Sequence, residues 1–335
     1  MTDPPTATRR AALQQALGPG YLLGEPLTGG GMSAVYRAHE VALDRPVVVK
    51  VLPPELVGSL SVERFRREIL VSAALQHPNI VPVLSSGEVE GLPYFLMPYI
   101  AGESLRTRLS RGPLGIREAV GVLRDVARAL AHAHRNDLIH RDIKPDNILL
   151  TGGAAVVTDF GVAKALASAG STRRSTSGAH VAAASATAAG IAIGTPAYMA
   201  PEQAAGDPAT DHRADLYALG IVAWEMLTGG SPYAGLTPQQ VLAAQVVHTP
   251  PAVASRRYDV PAGFAALVDA LLQKEPRHRP RSAEQVLERL EDPALLAGAP
   301  ARRQGRRRVS PRLLLGLAAL VAASLVAAYL LLPRR

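Results

Sequence analysis

Short apolar runs in the first third of the chain predict a small β-rich unit. Val47-Val48-Val49 and Tyr94-Phe95-Leu96 are typical of buried β-strands. Between them, segment 62–70 carries its apolar residues at helical spacing. Leu13 and Leu17 lie one helical turn apart, so residues 1–20 are predicted to hold a short helix that docks on these strands.

A second pattern lies near the C-terminus. Residues 313–332 are uncharged and rich in Leu, Ala and Val, and this run is long enough to cross a bilayer as a helix. A buried core helix is the alternative, but apolar residues occur all around the helix, which favours a membrane span. The preceding linker, 293–312, carries many more arginines than the tail, 333–335, so the positive-inside rule places the bulk of the chain in the cytoplasm.

The amino-acid composition argues against several classes of protein function. The chain has 335 residues, no cysteine and a formal net charge of +8. Absence of cysteine excludes disulfides and thiolate chemistry. The basic balance does not indicate nucleic-acid binding, because aromatic residues make up only 4% and much of the excess arginine lies near the C-terminus. Residues 1–20 lack the apolar segment of a signal peptide.

Candidate chemistry is concentrated in one stretch. Residues 140–147 read His-Arg-Asp-Ile-Lys-Pro-Asp-Asn, and Asp159-Phe160-Gly161 follows. Together they supply a proton acceptor, a lysine for phosphate charge and two groups for metal binding, as phosphoryl transfer requires. Either motif alone is a common polar turn.

Further motifs occur in a fixed order around this stretch. The small-residue loop 28–35 allows backbone amides to close over phosphates. Lys50 ends the 47–49 strand, and Glu68 lies in the predicted 62–70 helix. Gly194-Thr195-Pro196 and Ala200-Pro201-Glu202 come after the metal-binding motif.

With this ordered set, the chain resembles the bacterial Hanks-type (eukaryotic-like) serine/threonine protein kinases from about residue 21 to about residue 290. The resemblance implies an α+β, two-lobed fold over residues 21–292, with a β-rich small lobe (21–97) and a mainly helical large lobe (101–292). It also implies ATP and Mg²⁺ as cofactors and protein Ser/Thr hydroxyls as acceptors. The C-terminal transmembrane helix is added to this fold.

The resemblance assigns roles residue by residue. Asp142 would accept the substrate hydroxyl proton, Lys144 would balance γ-phosphate charge, and Asn147 and Asp159 would bind magnesium. Lys50 would hold phosphates while paired with Glu68. The remaining nucleotide contacts would come from the Gly-rich loop, the gatekeeper, the hinge and the apolar walls: Thr28, Gly29, Gly30, Gly31, Ser33, Val35, Met97, Ile100 and Leu149. For Leu149, a plain core position is nearly as good a reading.

The Gly-rich loop departs from the family pattern. Thr28 and Ser33 stand where the first and third glycines belong, and only Gly30 is kept. Gly29 and Gly31 keep the backbone pliable, so ATP binding is still expected. Taken alone, the loop would be interpreted as a plain Gly-rich hairpin turn.

Lys144 and the Gly-Thr-Pro motif indicate a serine/threonine enzyme rather than a tyrosine kinase. By resemblance, Thr195 would contact Asp142 and Lys144, Glu202 would pair with Arg279, and Asp215 would accept backbone hydrogen bonds from the catalytic loop.

Regulation is suggested by segment 165–192, whose Ala, Ser, Thr and Gly cannot build a core. In related kinases the arginine at the position of Arg141 gathers an activation-loop phosphate, so autophosphorylation is expected. Thr187 is the first choice, followed by the other hydroxyl residues Ser185, Thr176 and Ser177. An insert without a switch is the alternative.

An active kinase is therefore the first hypothesis, anchored as a single-pass protein of the bacterial inner membrane with its catalytic part in the cytoplasm. No outer sensor domain is expected after so short a tail. A membrane-bound pseudokinase scaffold and a small-molecule phosphotransferase are the alternatives. Relatives also suggest homodimers paired through the small lobe.

Overall fold

Two hydrophobic clusters divide the described part of the molecule into two lobes. The computed structural model describes residues 4–27 (4–8 by backbone alone), 34–52, 69, 71–160 and 196–297. The first cluster lies in a β-sheet unit and the second in a mainly helical unit. The predicted α+β, two-lobed architecture is confirmed in these ranges.

The small lobe is built on one antiparallel sheet. Its strands are β1 (Tyr21–Pro26), β2 (Ala34–Glu40), β3 (Arg45–Val51), β4 (Ser85–Val89) and β5 (Leu92–Pro98), in the spatial order β1-β2-β3-β5-β4. Both strands predicted from apolar runs are confirmed, and they are neighbours: Val49 of β3 pairs with Leu96 of β5.

The central strand β3 contains a continuous apolar run because both of its faces are covered. Val47, Val49 and Val51 point into the small-lobe cluster. Val48 and Lys50 alternate with them and therefore point to the opposite face, which is turned towards the site described below. A strand covered on both faces reads as a continuous apolar run rather than an alternating one.

The N-terminal helix α1 (Pro4–Leu17) covers the outer face of this sheet. Leu13 is only 1% exposed within the small-lobe cluster, and Leu17 packs against the same cluster. The predicted docking of this helix is confirmed.

A single glutamine ties α1 to the start of β1. Gln14 donates from Nε2 to the Tyr21 carbonyl (2.8 Å) and accepts at Oε1 from the Leu23 amide (2.8 Å). These bonds use the edge of β1 that pairs with no other strand of the described ranges, so α1 satisfies backbone groups as well as burying apolar surface.

The large lobe is mainly helical. Its helices are α2 (Leu105–Leu109), α3 (Ile116–Arg135), α4 (Pro201–Ala204), α5 (Arg213–Thr228), α6 (Pro238–Val247), α7 (Ala262–Leu271), α8 (Ala283–Glu291) and α9 (Ala294–Ala297). Short 3₁₀ turns occur at Pro145–Asn147, Pro196–Tyr198, Val253–Ser255 and Pro276–His278. Helix α5 is buried over nearly its whole length, so it forms the centre of the lobe.

A three-stranded sheet packs on the large-lobe cluster next to the candidate catalytic segments. It consists of β6 (Glu103–Ser104), β7 (Ile148–Thr151) and β8 (Ala154–Val157). Val157 also accepts from the Val81 amide and donates to the Asn79 carbonyl, both at 2.9 Å. The segments that precede β7 and follow β8 are therefore held at a fixed separation.

Two predicted helices lie mostly or wholly outside the described residues. Ile69 and residues 71–73 are helical, which agrees with a helix at the end of segment 62–70, while Glu68 and the other residues of that segment lie outside the described ranges. The predicted span 313–332 also lies outside them. In the ranges given above, no helix has the length and hydropathy needed to cross a membrane.

Candidate active site

The segment 140–147 is fastened to the central helix α5 through one buried carboxylate. Asp215 accepts at Oδ2 from the His140 amide (2.8 Å) and at Oδ1 from the Arg141 amide (2.7 Å). Arg141 has a left-handed φ of 65°, which costs energy in a residue that carries a Cβ. The two bonds from Asp215 stabilise that conformation, and the predicted role of Asp215 is confirmed.

His134 of helix α3 is a third donor to the same carboxylate. Its Nε2 lies 2.9 Å from Asp215 Oδ2, and both side chains are buried. Burial alone would raise the pKa of Asp215, but the hydrogen bond and charge of His134, with the His140 contact, lower it below its ordinary value. This contact was not predicted from the sequence, although the helical spacing of His134 from buried Leu130 was an available signal.

Asp142 is the centre of the polar cluster. Its Oδ2 accepts from Lys144 Nζ at 2.7 Å and from Asn147 Nδ2 at 3.0 Å. Asn147 Nδ2 also donates to the Asp142 carbonyl at 2.8 Å, which fixes the amide so that its Oδ1 is directed elsewhere. The Asp142 side chain is 23% exposed, so a reactant can approach the carboxylate.

His140 joins this loop to the segment after β8. Its Nδ1 accepts from the Asp142 amide (3.2 Å), so its Nε2 carries the proton and donates to the Thr158 carbonyl (2.9 Å). The His140 ring also meets the Phe160 ring edge-on, with centroids 4.6 Å apart. His140 therefore positions the two candidate motifs against each other.

Asp159 forms an ion pair across the lobes. Lys50 Nζ lies 2.7 Å from Asp159 Oδ2, so a small-lobe strand and the segment after β8 meet here. Burial alone would raise the pKa of Asp159, but the Lys50 ammonium, its hydrogen bond and more distant charges lower it. Glu68, the partner predicted for Lys50, lies outside the described ranges.

The other oxygen of Asp159 suits a bound cation. Among the described residues, Oδ1 is buried and has no hydrogen-bond partner. An unpaired carboxylate oxygen without water is costly, and a divalent cation would remove that cost. Asn147 Oδ1 is a second oxygen ligand of the kind that Mg²⁺ accepts. No cluster of three or more His, Cys, Asp or Glu occurs in the described ranges. Mg²⁺ in phosphoryl-transfer sites commonly takes its other ligands from substrate phosphates and water.

Four of the predicted adenine-contacting residues lie within the described ranges: Val35, Met97, Ile100 and Leu149. Val35 of β2 is paired directly opposite Lys50. Met97, next to the end of β5, accepts a weak hydrogen bond at Sδ from Thr158 (3.5 Å), and Leu149 is half-buried in β7. Within the described ranges, no backbone partner is found for Ile100, so its N–H and C=O can pair with a planar ligand.

Several predicted site residues lie outside the described ranges, and their roles stay predictions. They are Thr28, Gly29, Gly30, Gly31 and Ser33 of the Gly-rich loop, Glu68, Thr195, and the candidate phosphorylation sites Thr176, Ser177, Ser185 and Thr187.

One predicted scaffold pair is present. Arg279 donates from Nη1 and Nη2 to the two oxygens of Glu202 at 2.6 and 2.7 Å. The predicted Glu202–Arg279 pair is confirmed.

These features define the class of protein. The sequence matches the protein kinase domain over residues 21–290, and the chain belongs to the protein kinase family.

Relatives place it beside bacterial serine/threonine kinases. The chain is 40% identical over 273 residues to the serine/threonine-protein kinase PknB of Mycobacterium tuberculosis, covering 79% of this chain and 41% of that protein. It is 36% identical over 261 residues to the serine/threonine-protein kinase PrkC of Bacillus subtilis, covering 77% and 38% respectively. The matched part is thus less than half the length of these relatives.

Solved structures agree with the fold. A crystal structure of the Mycobacterium tuberculosis PknI kinase domain superposes with a TM-score of 0.61 at 27% identity, covering 81% of this chain and 95% of that one.

Proposed function

We propose that the protein is a serine/threonine protein kinase that transfers the γ-phosphoryl group of ATP to Ser and Thr hydroxyls of proteins. The observation that carries the proposal is the partly exposed Asp142 carboxylate with Lys144 and Asn147 on its Oδ2. The similarity to PknB and PrkC supports the same activity.

Each residue has a task in that reaction. Asp142 would accept the hydroxyl proton, and Lys144, 2.7 Å away, would offset the negative charge that develops beside it. Lys50 would contact nucleotide phosphates from the rigid strand β3. Val35, Met97, Ile100 and Leu149 would hold the adenine ring.

Mg²⁺ is the proposed metal ion, held by Asp159 and Asn147. When bound, it would neutralise phosphate charge and orient the transferable group. Asp159 is prepared for this task because its lowered pKa keeps the carboxylate charged at neutral pH.

The pseudokinase alternative is not supported. Lys50, Asp142, Asn147 and Asp159 are all present, and the described contacts bring them together. A small-molecule phosphotransferase is disfavoured by the Ala200-Pro201-Glu202 motif, whose glutamate is fixed by Arg279 as part of a platform for protein substrates.

The test is transfer of labelled γ-phosphate from Mg-ATP by the purified protein to itself and to a generic basic protein, beside Asp142→Asn. Asp142→Asn keeps the size of the side chain and removes the base. Label on Ser or Thr with the unmutated protein alone would support the proposal. Absence of label, with ATP still bound, would contradict it.

We also propose control by autophosphorylation, with Thr187 as the first site. In the described part of the chain, Arg141 Nε is buried and has no hydrogen-bond partner, so a phosphate brought to it would satisfy a donor. Phosphopeptide mapping should find Thr187, or else Ser185, Thr176 or Ser177, modified in the active enzyme. An active enzyme without phosphate anywhere in 165–192 would refute this control.

Membrane anchoring is a further proposal. Residues 21–292 would form the catalytic domain, 293–312 a basic linker, and 313–332 a single span of the bacterial inner membrane with the kinase in the cytoplasm. Its support is the uncharged 313–332 run and the arginines before it. Deletion of 313–332 should move the protein from the membrane to the soluble fraction. Retention at the membrane would exclude this anchor.

Homodimers through the small lobe are proposed from the family resemblance. Exposed apolar side chains at Leu22, Val41 and Leu43 support a contact there. Sedimentation of the purified protein and of Leu43→Asp should show a loss of dimer on substitution. Monomers at every concentration of the unmutated protein would contradict the proposal.

A further inference from the structure

Helix α6 carries a polar residue on its buried face. The buried residues of this helix are Val241, Ala244 and Gln245, and Gln245 is 0% exposed. A glutamine is stable in the interior only where its amide is hydrogen-bonded, because an unpaired buried amide costs free energy. The contacts of this amide therefore indicate what the residue does.

The side chain of Gln245 joins helix α5 to the turn Pro196–Tyr198. Its Nε2 donates to the Pro196 carbonyl (3.2 Å) and to the Ala197 carbonyl (2.9 Å). Its Oε1 accepts from the Tyr217 hydroxyl of α5 at 2.7 Å. The hydrogen-bond partners fix the orientation of the amide, since the reverse orientation would place Oε1 against two carbonyl oxygens.

The backbone of Gln245 is held as well. Its carbonyl lies in the last turn of α6, where carbonyls have no partner within the helix. Lys274 Nζ donates to this carbonyl at 2.6 Å and to the Tyr217 hydroxyl at 2.9 Å. Tyr217 and Lys274 together therefore fix both the side chain and the main chain of Gln245.

The turn Pro196–Tyr198 depends on contacts from outside itself. Its own backbone bond, from the Met199 amide to the Pro196 carbonyl, is long at 3.3 Å. Proline at its first position has no N–H to donate. The two bonds from Gln245 therefore contribute directly to the path of the backbone through this turn.

The same turn lies next to the proposed acceptor site. It leads into α4 (Pro201–Ala204), where Gln203 accepts from the Ala200 amide (3.0 Å) and donates to the Arg141 carbonyl (3.2 Å). Arg141 directly precedes Asp142, the proposed base. A protein substrate with its hydroxyl at Asp142 would therefore pass close to the turn, whereas the proposed contacts to ATP come from other elements.

We infer that Gln245 is a positioning residue for the protein substrate: by holding the Pro196 and Ala197 carbonyls, it sets the surface on which the substrate chain binds beside its acceptor Ser or Thr. The inference rests on the proposed kinase function. Gln245 belongs to none of the elements that carry Lys50, Asp142 or Asp159. Its loss should therefore weaken substrate binding and leave the phosphoryl-transfer groups in place.

The closing experiment compares Gln245→Met with Thr228→Val. Methionine keeps the length of the side chain and removes both donor bonds. The Thr228 hydroxyl also lies within hydrogen-bond distance of two backbone carbonyls, those of Trp224 (2.9 Å) and Gly230 (3.2 Å), but at the C-terminal end of α5. Valine removes these contacts at nearly the same size, so Thr228→Val is the matched control.

The measurements are kcat and KM for the Ser peptide that the unmutated enzyme phosphorylates best, the KM for ATP, and the rate of ATP hydrolysis without peptide. In Gln245→Met the peptide KM should rise about tenfold, as expected for one to two lost hydrogen bonds. The other quantities should stay within about twofold, because an interaction used only in substrate binding changes KM and not kcat. Thr228→Val should leave all of them unchanged.

A folded Gln245→Met with an unchanged peptide KM would overturn the inference. So would a loss of ATP hydrolysis as large as the rise in peptide KM, because a general distortion of the lobe changes both. An equal rise of the peptide KM in Thr228→Val would overturn it too.

A second readout needs no catalysis. Hydrogen exchange of the amides from Ala197 to Met199 should become about tenfold faster in Gln245→Met and stay unchanged in Thr228→Val. Unchanged exchange in Gln245→Met would overturn the positioning role. Gln245→Asn, whose amide is one methylene shorter, replaces Gln245→Met in both measurements if the methionine variant fails to fold. Failure of the unmutated enzyme to phosphorylate any peptide would instead refute the kinase proposal, while hydrogen exchange still decides whether Gln245 holds the turn.

Discussion

Glu202 and Arg279, 77 residues apart in sequence, form a buried bidentate ion pair that anchors helix α4. Arg279 also donates to the backbone carbonyls of Gln273, Lys274 and Arg213. The guanidinium therefore joins the segments before α5 and after α7, and the pair is fully hydrogen-bonded as buried charges require.

Arg279→Ala should lower the free energy of unfolding by about 3–5 kcal/mol, because Glu202 stays buried without its partner. Denaturant unfolding measures this change. The matched control is Arg277→Ala, two residues away, whose exposed side chain lies 3.9 Å from exposed Glu275. The control should change stability by less than about 1 kcal/mol. Equal losses in both variants would contradict a special role for the buried pair.

His134→Leu should lower the free energy of unfolding by about 1.5–3 kcal/mol, because Asp215 loses a donor in a buried site. It should also lower kcat while changing the KM for ATP less, because Asp215 holds the His140 and Arg141 amides, which directly precede Asp142, the proposed base. Steady-state kinetics with His134→Gln as the conservative variant checks this, and partial rescue by Gln is expected. A His134→Leu enzyme with unchanged stability would refute the prediction.

Lys274 should make the free energy of unfolding change with pH in the alkaline range. Its ammonium lies among Tyr217, Tyr233 and the Gln245 carbonyl, at 2.6–3.1 Å. Burial, with the nearby charge of Arg279, lowers its pKa to about 8 from 10.5. Between these values the unfolded chain binds a proton that the folded chain does not, so the folded state gains stability as pH rises.

The measurement is the unfolding free energy of the unmutated protein minus that of Lys274→Met. This difference should be constant below pH 8 and rise by up to about 1.4 kcal/mol per pH unit above it. Work up to pH 9.5 avoids the tyrosines: burial raises the pKa of both Tyr217 and Tyr233. A flat difference from pH 7 to 9.5 would show that Lys274 does not titrate in this range.

The same Gly→Ala substitution should have opposite effects in two helices. A Cβ at Gly220 of α5 would lie 2.8 Å from the Leu271 Cβ, so the packing of α5 on α7 must shift. A Cβ at Gly121 of α3 meets nothing within 4 Å. Gly121→Ala should therefore stabilise by about 0.5–1 kcal/mol, while Gly220→Ala should destabilise by about 1 kcal/mol or more. Thermal unfolding of both variants checks the sign, and stabilisation by Gly220→Ala would contradict the packing.

The sequence predicted those features that depend on a local apolar pattern or on a family motif. Strands β3 and β5 follow from their apolar runs, and the Glu202–Arg279 pair and the role of Asp215 follow from the motifs. Long-range polar contacts could not be predicted in the same way, because an isolated Arg or His carries no periodic signal. Arg106 is an ordinary helix residue until the fold brings Glu225, 119 positions later, to its guanidinium.

The contact of Lys50 with Asp159 was not predicted from the sequence. Lys50 and Asp159 are 109 positions apart, and no periodic pattern connects them. The predicted pairing of Lys50 with Glu68 stays a prediction, because Glu68 lies outside the described ranges.

Helix α1 bears on how this protein should be prepared. The family match begins at residue 21, yet Leu13 is part of the small-lobe core and Gln14 caps the free edge of β1. A fragment trimmed to the family boundary would uncover the apolar outer face around Val47, Val49 and Tyr94 and would be prone to aggregate. In this chain, the residues that build the small-lobe core therefore begin before residue 21, where the family match begins.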